Sequence, residues 1–180
     1  MSFPVMRLSL FALPFFLTAC AQEASVAPKD APLAADATAA ANAGADDADC
    51  NLSTPLVPGI PGSPGHLVQS TRNPNGDSEL SVLMRQFVDD LREVRTLVEA
   101  KQPVKKLWPV HRKMRCAWPT KPEERNAGFD GRAQGYLAAV RAFDEAPSQS
   151  SYNGMIAGCI SCHSVSCGGP LEFIGGMKWE

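Results

Sequence analysis

The clearest pattern of hydrophobic positions lies between Ser78 and Lys101. Apolar residues recur there at spacings of three and four, at Leu80, Leu83, Met84, Phe87, Leu91, Val94 and Val98. This spacing gives one apolar stripe on an α-helix, and residues 75–78 supply turn and N-cap chemistry before it. Pro103 blocks continuation after it. The pattern predicts a long amphipathic helix.

Three shorter helical segments follow the first. One begins near Pro109 and ends at Trp118, the next runs from Phe129 to Glu145, and the last begins near Ser150 and ends before Gly168. The last segment places several chemically distinctive residues on one face: Tyr152, Met155, Ile156, Cys159 and His163. No run of alternating apolar residues predicts a strand. We therefore expect an all-α fold, an antiparallel four-helix bundle whose core is a usual place for a cofactor.

The N-terminus has the features of an export signal. Arg7 supplies positive charge, Leu8 to Leu17 form an apolar core, and small residues precede a cysteine. The sequence Leu-Thr-Ala-Cys ending at Cys20 resembles the lipobox of bacterial lipoproteins, in which the cysteine carries lipid after cleavage. Several acyl chains, at about 0.8 kcal/mol per buried CH₂, would anchor Cys20 to a membrane. The residue that follows the cysteine is Ala21 and not Asp, which in the lipoprotein pattern of enteric bacteria favours delivery to the outer membrane.

The next segments have the composition of a tether. Residues 21–49 are mainly Ala, Asp, Pro and Thr and cannot bury enough apolar surface to fold, although a transient Ala-rich helix at 34–45 is an alternative. Residues 53–65 are rich in Pro and Gly and are expected to be extended. The predicted organisation is a signal peptide at 1–19, a lipid anchor and flexible linker at 20–65, and a folded domain at 66–180.

Composition and charge narrow the class of protein. The chain has 180 residues, of which 44% are hydrophobic and 20% charged, enough for one modest core. A formal net charge of -2 gives no basic footprint for nucleic acid. No apolar run approaches the roughly 20 residues that span a bilayer.

One motif in the chain is strongly specific. The sequence Cys159-Ile160-Ser161-Cys162-His163 has the C-x-x-C-H spacing of c-type haem attachment. On a helical turn the two thiols reach the two vinyl groups of haem, while the adjacent imidazole coordinates the iron. The motif predicts one covalent haem c, with His163 as the proximal metal ligand.

Three other interpretations of the motif remain. A thioredoxin-like redox pair would be expected at a helix N-terminus rather than inside a helical pattern. A structural zinc site combining Cys159, Cys162 and His163 with Cys167 would draw its ligands from one place, whereas common zinc fingers draw pairs from two. A simple disulfide is the third. Export favours haem, because bacterial haem c is attached outside the cytoplasm.

The position of the motif, close to the C-terminus on the last of four predicted helices, resembles the class II cytochromes c, which include cytochrome c-prime. The resemblance covers roughly residues 77–167. It implies a four-helix bundle with haem between the helices, and either electron transfer or binding of small gases. The basic residue that follows the haem histidine in cytochrome c-prime is absent here.

Three cysteines remain after lipid and haem are assigned: Cys50, Cys116 and Cys167. An oxidising compartment permits one internal disulfide among them. Pairing of Cys50 with Cys116 is the first choice and pairing of Cys116 with Cys167 the second. A free or buried Cys167 is the simplest alternative.

Five side chains are candidates for the sixth position on the iron: Met84, His66, His111, Met155 and Met177. Met84 comes first because the first helix supplies the distal side in the class II fold, although core packing is the commoner role for such a residue. Met155 lies two turns before His163 and is expected in the core. His111 lies in a basic stretch that predicts a solvated helix face. His66 and Met177 would have to fold over the haem.

The sequence thus predicts a periplasmic, membrane-anchored monohaem cytochrome that passes single electrons between redox partner proteins, and not an enzyme. The alternative is a haem protein that binds or senses nitric oxide or carbon monoxide through an open sixth position. A haem peroxidase would need polar distal groups, whereas the first helix offers mainly Leu, Met and Phe. A non-haem thiol protein comes last, and a homodimer is left open.

Overall fold

The computed structural model describes residues 50–180, and this part of the chain is helical. It contains helices α1 (Glu79–Glu99), α2 (Trp108–His111), α3 (Ala127–Glu145), α4 (Gln149–Ser166) and α5 (Leu171–Gly175). Two 3₁₀ turns, Arg112–Cys116 and Pro122–Glu124, lie between α2 and α3. The expected signal peptide at 1–19, the expected lipid attachment at Cys20 and the expected tether at 21–49 lie outside the described residues.

Helix α1 matches its predicted pattern closely. The Ser78 side chain accepts a hydrogen bond from the backbone N–H of Ser81 and so caps the first turn. The helix ends at Glu99, and Lys101 then adopts a left-handed φ of 54°. Phe87, Leu91 and Val94 from the apolar stripe are fully buried. The prediction of a long amphipathic helix over this segment is confirmed.

Helices α3 and α4 form a helical hairpin joined by residues 146–148. Asn126 caps α3, and a reciprocal pair of hydrogen bonds between Ser148 and Ser151 caps α4. The apolar faces of the two helices supply much of the core, including Leu137, Val140, Phe143, Tyr152, Met155 and Ile156. Both predicted helices are confirmed, with starts a residue or two earlier than expected.

The second predicted helix is much shorter than expected. Helix α2 is a single turn, and the chain continues as a 3₁₀ turn from Arg112 to Cys116. The carboxylate of Asp144 accepts hydrogen bonds from the backbone N–H groups of Leu107 and Trp108, at 2.8 and 2.9 Å, and fixes the start of this turn. The expectation of a helix reaching Trp118 was therefore wrong.

The described residues confirm the all-α class but not the four-helix bundle. No strand occurs between residues 50 and 180, where the only pairing of this kind is an isolated bridge between Val68 and Asp77. Three helices are long, and the other two are short. Helix α5 was not predicted from the sequence. Its Ile174 and the following Met177 are buried against the core.

Residues 50–65, which the sequence placed in the expected linker at 20–65, make contacts with the helical part of the chain. Cys50 is buried, and Ser63 is fully buried. The backbone N–H of Glu79 donates to the carbonyl of Gly62 at 3.1 Å, and a Cβ at Gly62 would lie 2.2 Å from that nitrogen. Glycine permits this approach and the local φ of +91°. The ordered domain therefore includes residues 50–65.

Between residues 50 and 180, no helix combines the length and the apolar character needed to cross a bilayer.

Candidate functional site

Three residues of the C-x-x-C-H motif face one cavity. Cys159, Cys162 and His163 lie in the second half of α4, where spacings of three and four place side chains on the same face. All three side chains line a cavity of about 410 Å³ between α1, α3, α4 and α5. The structure thus brings together the residues that the motif singled out.

The cavity has mainly apolar walls. Helix α1 contributes Leu80, Met84, Phe87, Val88 and Leu91 to it. Its polar lining includes Arg85, Thr120 and Glu124 in addition to the motif residues. Its volume lies within the range of about 300–1,000 Å³ that is usual for ligand and cofactor pockets, and such pockets are mostly apolar.

The imidazole of His163 is held in one orientation. Its Nδ1 lies 3.0 Å from the backbone carbonyl oxygen of Cys167. A carbonyl can only accept, so Nδ1 carries the hydrogen and Nε2 presents a lone pair. Hydrogen bonding of the second ring nitrogen is the usual way in which a protein fixes the tautomer of a metal-binding histidine.

The two motif cysteines are free thiols with limited exposure. Burial raises the pKa of Cys159 to about 12 and also raises the pKa of Cys162, although nearby Arg132 acts in the opposite direction. Reactive dithiols instead have lowered pKa values and lie at helix N-termini. The geometry therefore argues against a thioredoxin-like pair.

The candidates for a sixth ligand fall into two groups. Met84 and Met177 line the cavity, whereas the exposed His66 and the fully buried Met155 do not. Met114 also lines the cavity and is buried, and it was not among the candidates. The sequence pattern placed Met114 on an expected second helix and did not indicate that it faces a cofactor site. In the structure that helix is replaced at Met114 by a 3₁₀ turn.

His111 is not on a solvated face as expected. Its side chain is fully buried and stacks on Phe87, with ring centroids 3.8 Å apart. Nδ1 lies 2.7 Å from the Tyr136 hydroxyl, and Nε2 lies 3.2 Å from a carboxylate oxygen of Asp90. Both nitrogens are therefore engaged, and neither is available to bind iron.

The neighbouring Arg115 is buried as well, contrary to the solvated face predicted for the basic stretch. Its guanidinium forms a two-pronged ion pair with Asp130, at 2.9 and 3.1 Å. This pair holds the pKa of Asp130 below its ordinary value. One charge of the basic stretch thus faces inward because it has a partner, whereas Lys105, Lys106 and Lys113 are exposed.

The remaining cysteines divide into one pair and one free thiol. Cys50 and Cys116 form a disulfide, with Cα atoms 5.2 Å apart, so Cys116 is not paired with Cys167. Cys167 is free and exposed. The disulfide ties the start of the described chain to the 3₁₀ turn after α2.

The site suits a macrocyclic cofactor better than a bare metal ion. Although these side chains line one cavity, residues 50–180 contain no group of three or more His, Cys, Asp or Glu side chains placed to hold a metal ion, so the zinc alternative has no preformed ligand set there. A haem group needs only two thiols, one imidazole and apolar walls, all of which the cavity provides. Arg132 lies close to the Cys162 thiol, and its buried Nε has no hydrogen-bond acceptor.

Comparison with known proteins adds no family to this description. The chain matches no protein-family model, no curated protein and no solved structure.

Proposed function

We propose that this chain is a periplasmic, membrane-anchored c-type cytochrome with one haem, acting in one-electron transfer. The observation that carries the proposal is the convergence of Cys159, Cys162 and His163 on one mainly apolar cavity. The spacing of these residues is that of covalent haem attachment. Among the interpretations of the motif, haem alone uses all three residues and the cavity together.

Each motif residue has a distinct role in the proposal. The thiols of Cys159 and Cys162 would hold the haem through thioether bonds to its two vinyl groups, with one S–H bond and one vinyl π bond exchanged for one C–S and one C–H bond at each. Nε2 of His163 would bind the iron, while the Nδ1 hydrogen bond to the carbonyl of Cys167 keeps the ring aligned. The bound haem supplies the one-electron chemistry, and the apolar walls limit water and help to set its potential.

The resemblance to class II cytochromes enters the proposal in modified form. Helices α1, α3 and α4 correspond to three long helices around a haem, while α2 and its 3₁₀ continuation replace the fourth. In this arrangement residues of α1 and α4 would hold the haem, since both helices line the same cavity. Arg132, which lies close to Cys162, is the candidate partner for an acidic substituent of the haem.

Localisation is proposed on two grounds. The first is the lipobox-like sequence ending at Cys20, which favours export and membrane anchoring. The redox partners would then be proteins of the periplasm. The second is the disulfide between Cys50 and Cys116, since such bonds persist mainly in oxidising compartments. Anchoring through lipid leaves the described domain outside the bilayer.

The sixth position on the iron is assigned to Met84. Met84 lies on α1 and lines the same cavity as the motif residues, and its thioether would be a protein ligand of the kind that raises the potential of a cytochrome. The alternative, binding of nitric oxide or carbon monoxide, requires that no side chain fill this position. Met114 and Met177 also line the cavity and serve as comparisons.

Absorption spectra of the oxidised and reduced protein, with and without carbon monoxide, test the proposal. We expect a low-spin c-type spectrum with the weak red band of thioether ligation and no change with carbon monoxide. Met84→Ala should abolish the band, lower the potential and admit carbon monoxide. The control Met155→Ala removes a buried methionine away from the cavity and should cost about 2–5 kcal/mol of stability with the band retained.

Two results would contradict this function. A protein without a haem spectrum would exclude a cytochrome. A native protein that binds carbon monoxide at once would replace electron transfer by the gas-binding alternative. Persistence of the red band in Met84→Ala would reassign the ligand to Met114 or Met177 and leave the cytochrome intact.

A further inference from the structure

A chain of buried hydrogen bonds runs from the cavity wall to the surface. The ring of Tyr136 lines the cavity, and its hydroxyl lies 2.7 Å from Nδ1 of His111. Nε2 of His111 lies 3.2 Å from Oδ2 of Asp90, whose Oδ1 accepts from Nζ of Lys105 at 2.7 Å. Tyr136 and His111 are 3% and 0% exposed, while the Lys105 side chain is 46% exposed.

The partners in this chain fix where each hydrogen lies. The Asp90 carboxylate is an acceptor paired with the Lys105 ammonium, so Nε2 of His111 carries a hydrogen and donates it. Burial lowers the pKa of His111 to about 4, so the ring is neutral near pH 7 and Nδ1 has a lone pair. The Tyr136 hydroxyl therefore donates to Nδ1. Burial raises the pKa of this phenol, which keeps its proton in the resting state.

This arrangement suits the oxidation of a tyrosine. A phenol that loses an electron becomes a strong acid, so it is oxidised readily only where a base accepts its proton. Nδ1 of His111 is such a base, and Asp90 would balance the charge of the imidazolium. The second tyrosine of the chain, Tyr152, donates instead to the carbonyl of Met177 at 3.1 Å, and a carbonyl does not take up that proton.

We propose that Tyr136 and His111 form a redox-active pair in the wall of the cavity. Tyr136 gives one electron to a metal complex that acts as a one-electron oxidant, and its O–H bond breaks as the proton moves to Nδ1 of His111. The products are a neutral tyrosyl radical, an imidazolium paired with Asp90, and the oxidant reduced by one electron. The pair depends on these side chains alone and does not require that the proposed haem be present.

Photochemical oxidation of the purified full-length protein tests this assignment. The protein is illuminated with a ruthenium tris-bipyridine complex and persulfate, which together generate the ruthenium(III) complex as the one-electron oxidant. The sample is then frozen, and electron paramagnetic resonance identifies the radical. We expect a tyrosyl signal with a strongly coupled exchangeable proton, because the phenoxyl oxygen keeps its hydrogen bond to His111. The signal should disappear in Tyr136→Phe and persist in the matched control Tyr152→Phe.

The base is tested separately. In His111→Asn, the rate of radical formation should fall by about 100-fold, the usual contribution of a positioned base. Circular dichroism shows whether this variant is folded. If it is not folded, two measurements on the unmodified protein test whether the proton moves with the electron. Radical formation should be slower in deuterated water, and the radical should show the coupled exchangeable proton. A signal that survives in Tyr136→Phe, or one without an exchangeable proton, would overturn the proposal and leave the hydrogen-bond chain a purely structural one.

Discussion

Substitution of Gly158 by alanine tests the contact between α3 and α4 that positions the adjacent Cys159. A Cβ at this position would lie 3.1 Å from both Cα and Cδ2 of Tyr136. Since Cα belongs to the backbone of α3, relief requires that the helices move apart. Alanine gains about 1 kcal/mol over glycine in a helix interior, whereas overpacking costs about 1–3 kcal/mol. We therefore expect Gly158→Ala to change stability by between about 0 and -2 kcal/mol.

Gly154 provides a matched control in the same helix. A Cβ there would lie 3.9 Å from the Cβ of Ala139, an ordinary contact, so alanine should keep its helix-propensity advantage of about 1 kcal/mol. Gly154→Ala should thus be more stable than Gly158→Ala by about 1–3 kcal/mol, which is the overpacking cost alone. Urea unfolding followed by circular dichroism measures both free energies of unfolding.

The stabilities of the two variants test the close approach of α3 and α4, and the cofactor content of Gly158→Ala tests its effect on Cys159. Equal stability of the two variants, or a more stable Gly158→Ala, would refute the close approach of α3 and α4 at this point. A less stable Gly158→Ala that also carries less covalently attached cofactor would link the contact to the placement of Cys159.

Three further predictions concern the disulfide, a buried histidine and the membrane anchor. Replacing both Cys50 and Cys116 by serine removes a cross-link over 66 residues and should lower the free energy of unfolding by about 4 kcal/mol; a loss below about 1 kcal/mol would show that the bond contributes little. The pKa of His111 is lowered to about 4 by burial, so below pH 6.5 the unfolded chain binds this proton more readily than the folded one. The free energy of unfolding should therefore fall by about 3 kcal/mol from pH 7 to pH 4. In the control His111→Asn it should fall less steeply with pH. A free energy of unfolding that does not change over this range in the unmodified protein would be inconsistent with a buried neutral ring. Cys20→Ala should move the protein from the membrane fraction to the soluble periplasm or block its processing, and unchanged membrane retention would argue against lipidation.

Local signals were sufficient for the long helices. The stripe from Leu80 to Val98 has helical spacing, with Ser78 as its cap, so α1 could be read from neighbouring residues alone. The existence of α3 and α4 was also predicted from local spacing, although their caps, Asn126 and Ser148, lie before the predicted starts near Phe129 and Ser150. The grouping of Cys159, Cys162 and His163 also follows from spacing along one helix.

Features that depend on distant residues could not be predicted in this way. The start of α2 depends on Asp144, more than 30 positions away, and the inward face of its continuation depends on Asp130. The Pro- and Gly-rich segment at 50–65 looked like a linker because its partners, Cys116 and Glu79, lie elsewhere in the sequence. Met114 was missed for the same reason, since only tertiary contacts bring it to the cavity.

The mass of the intact, denatured protein tests the central claim most directly. If Cys159 and Cys162 carry haem, the chain should retain the mass of one haem after denaturation and extraction with acidified organic solvent. The double variant Cys159→Ala/Cys162→Ala should lose that mass, and the control Cys167→Ala should keep it. A chain with the bare polypeptide mass, or haem that the solvent removes, would contradict covalent attachment and with it the proposed cytochrome.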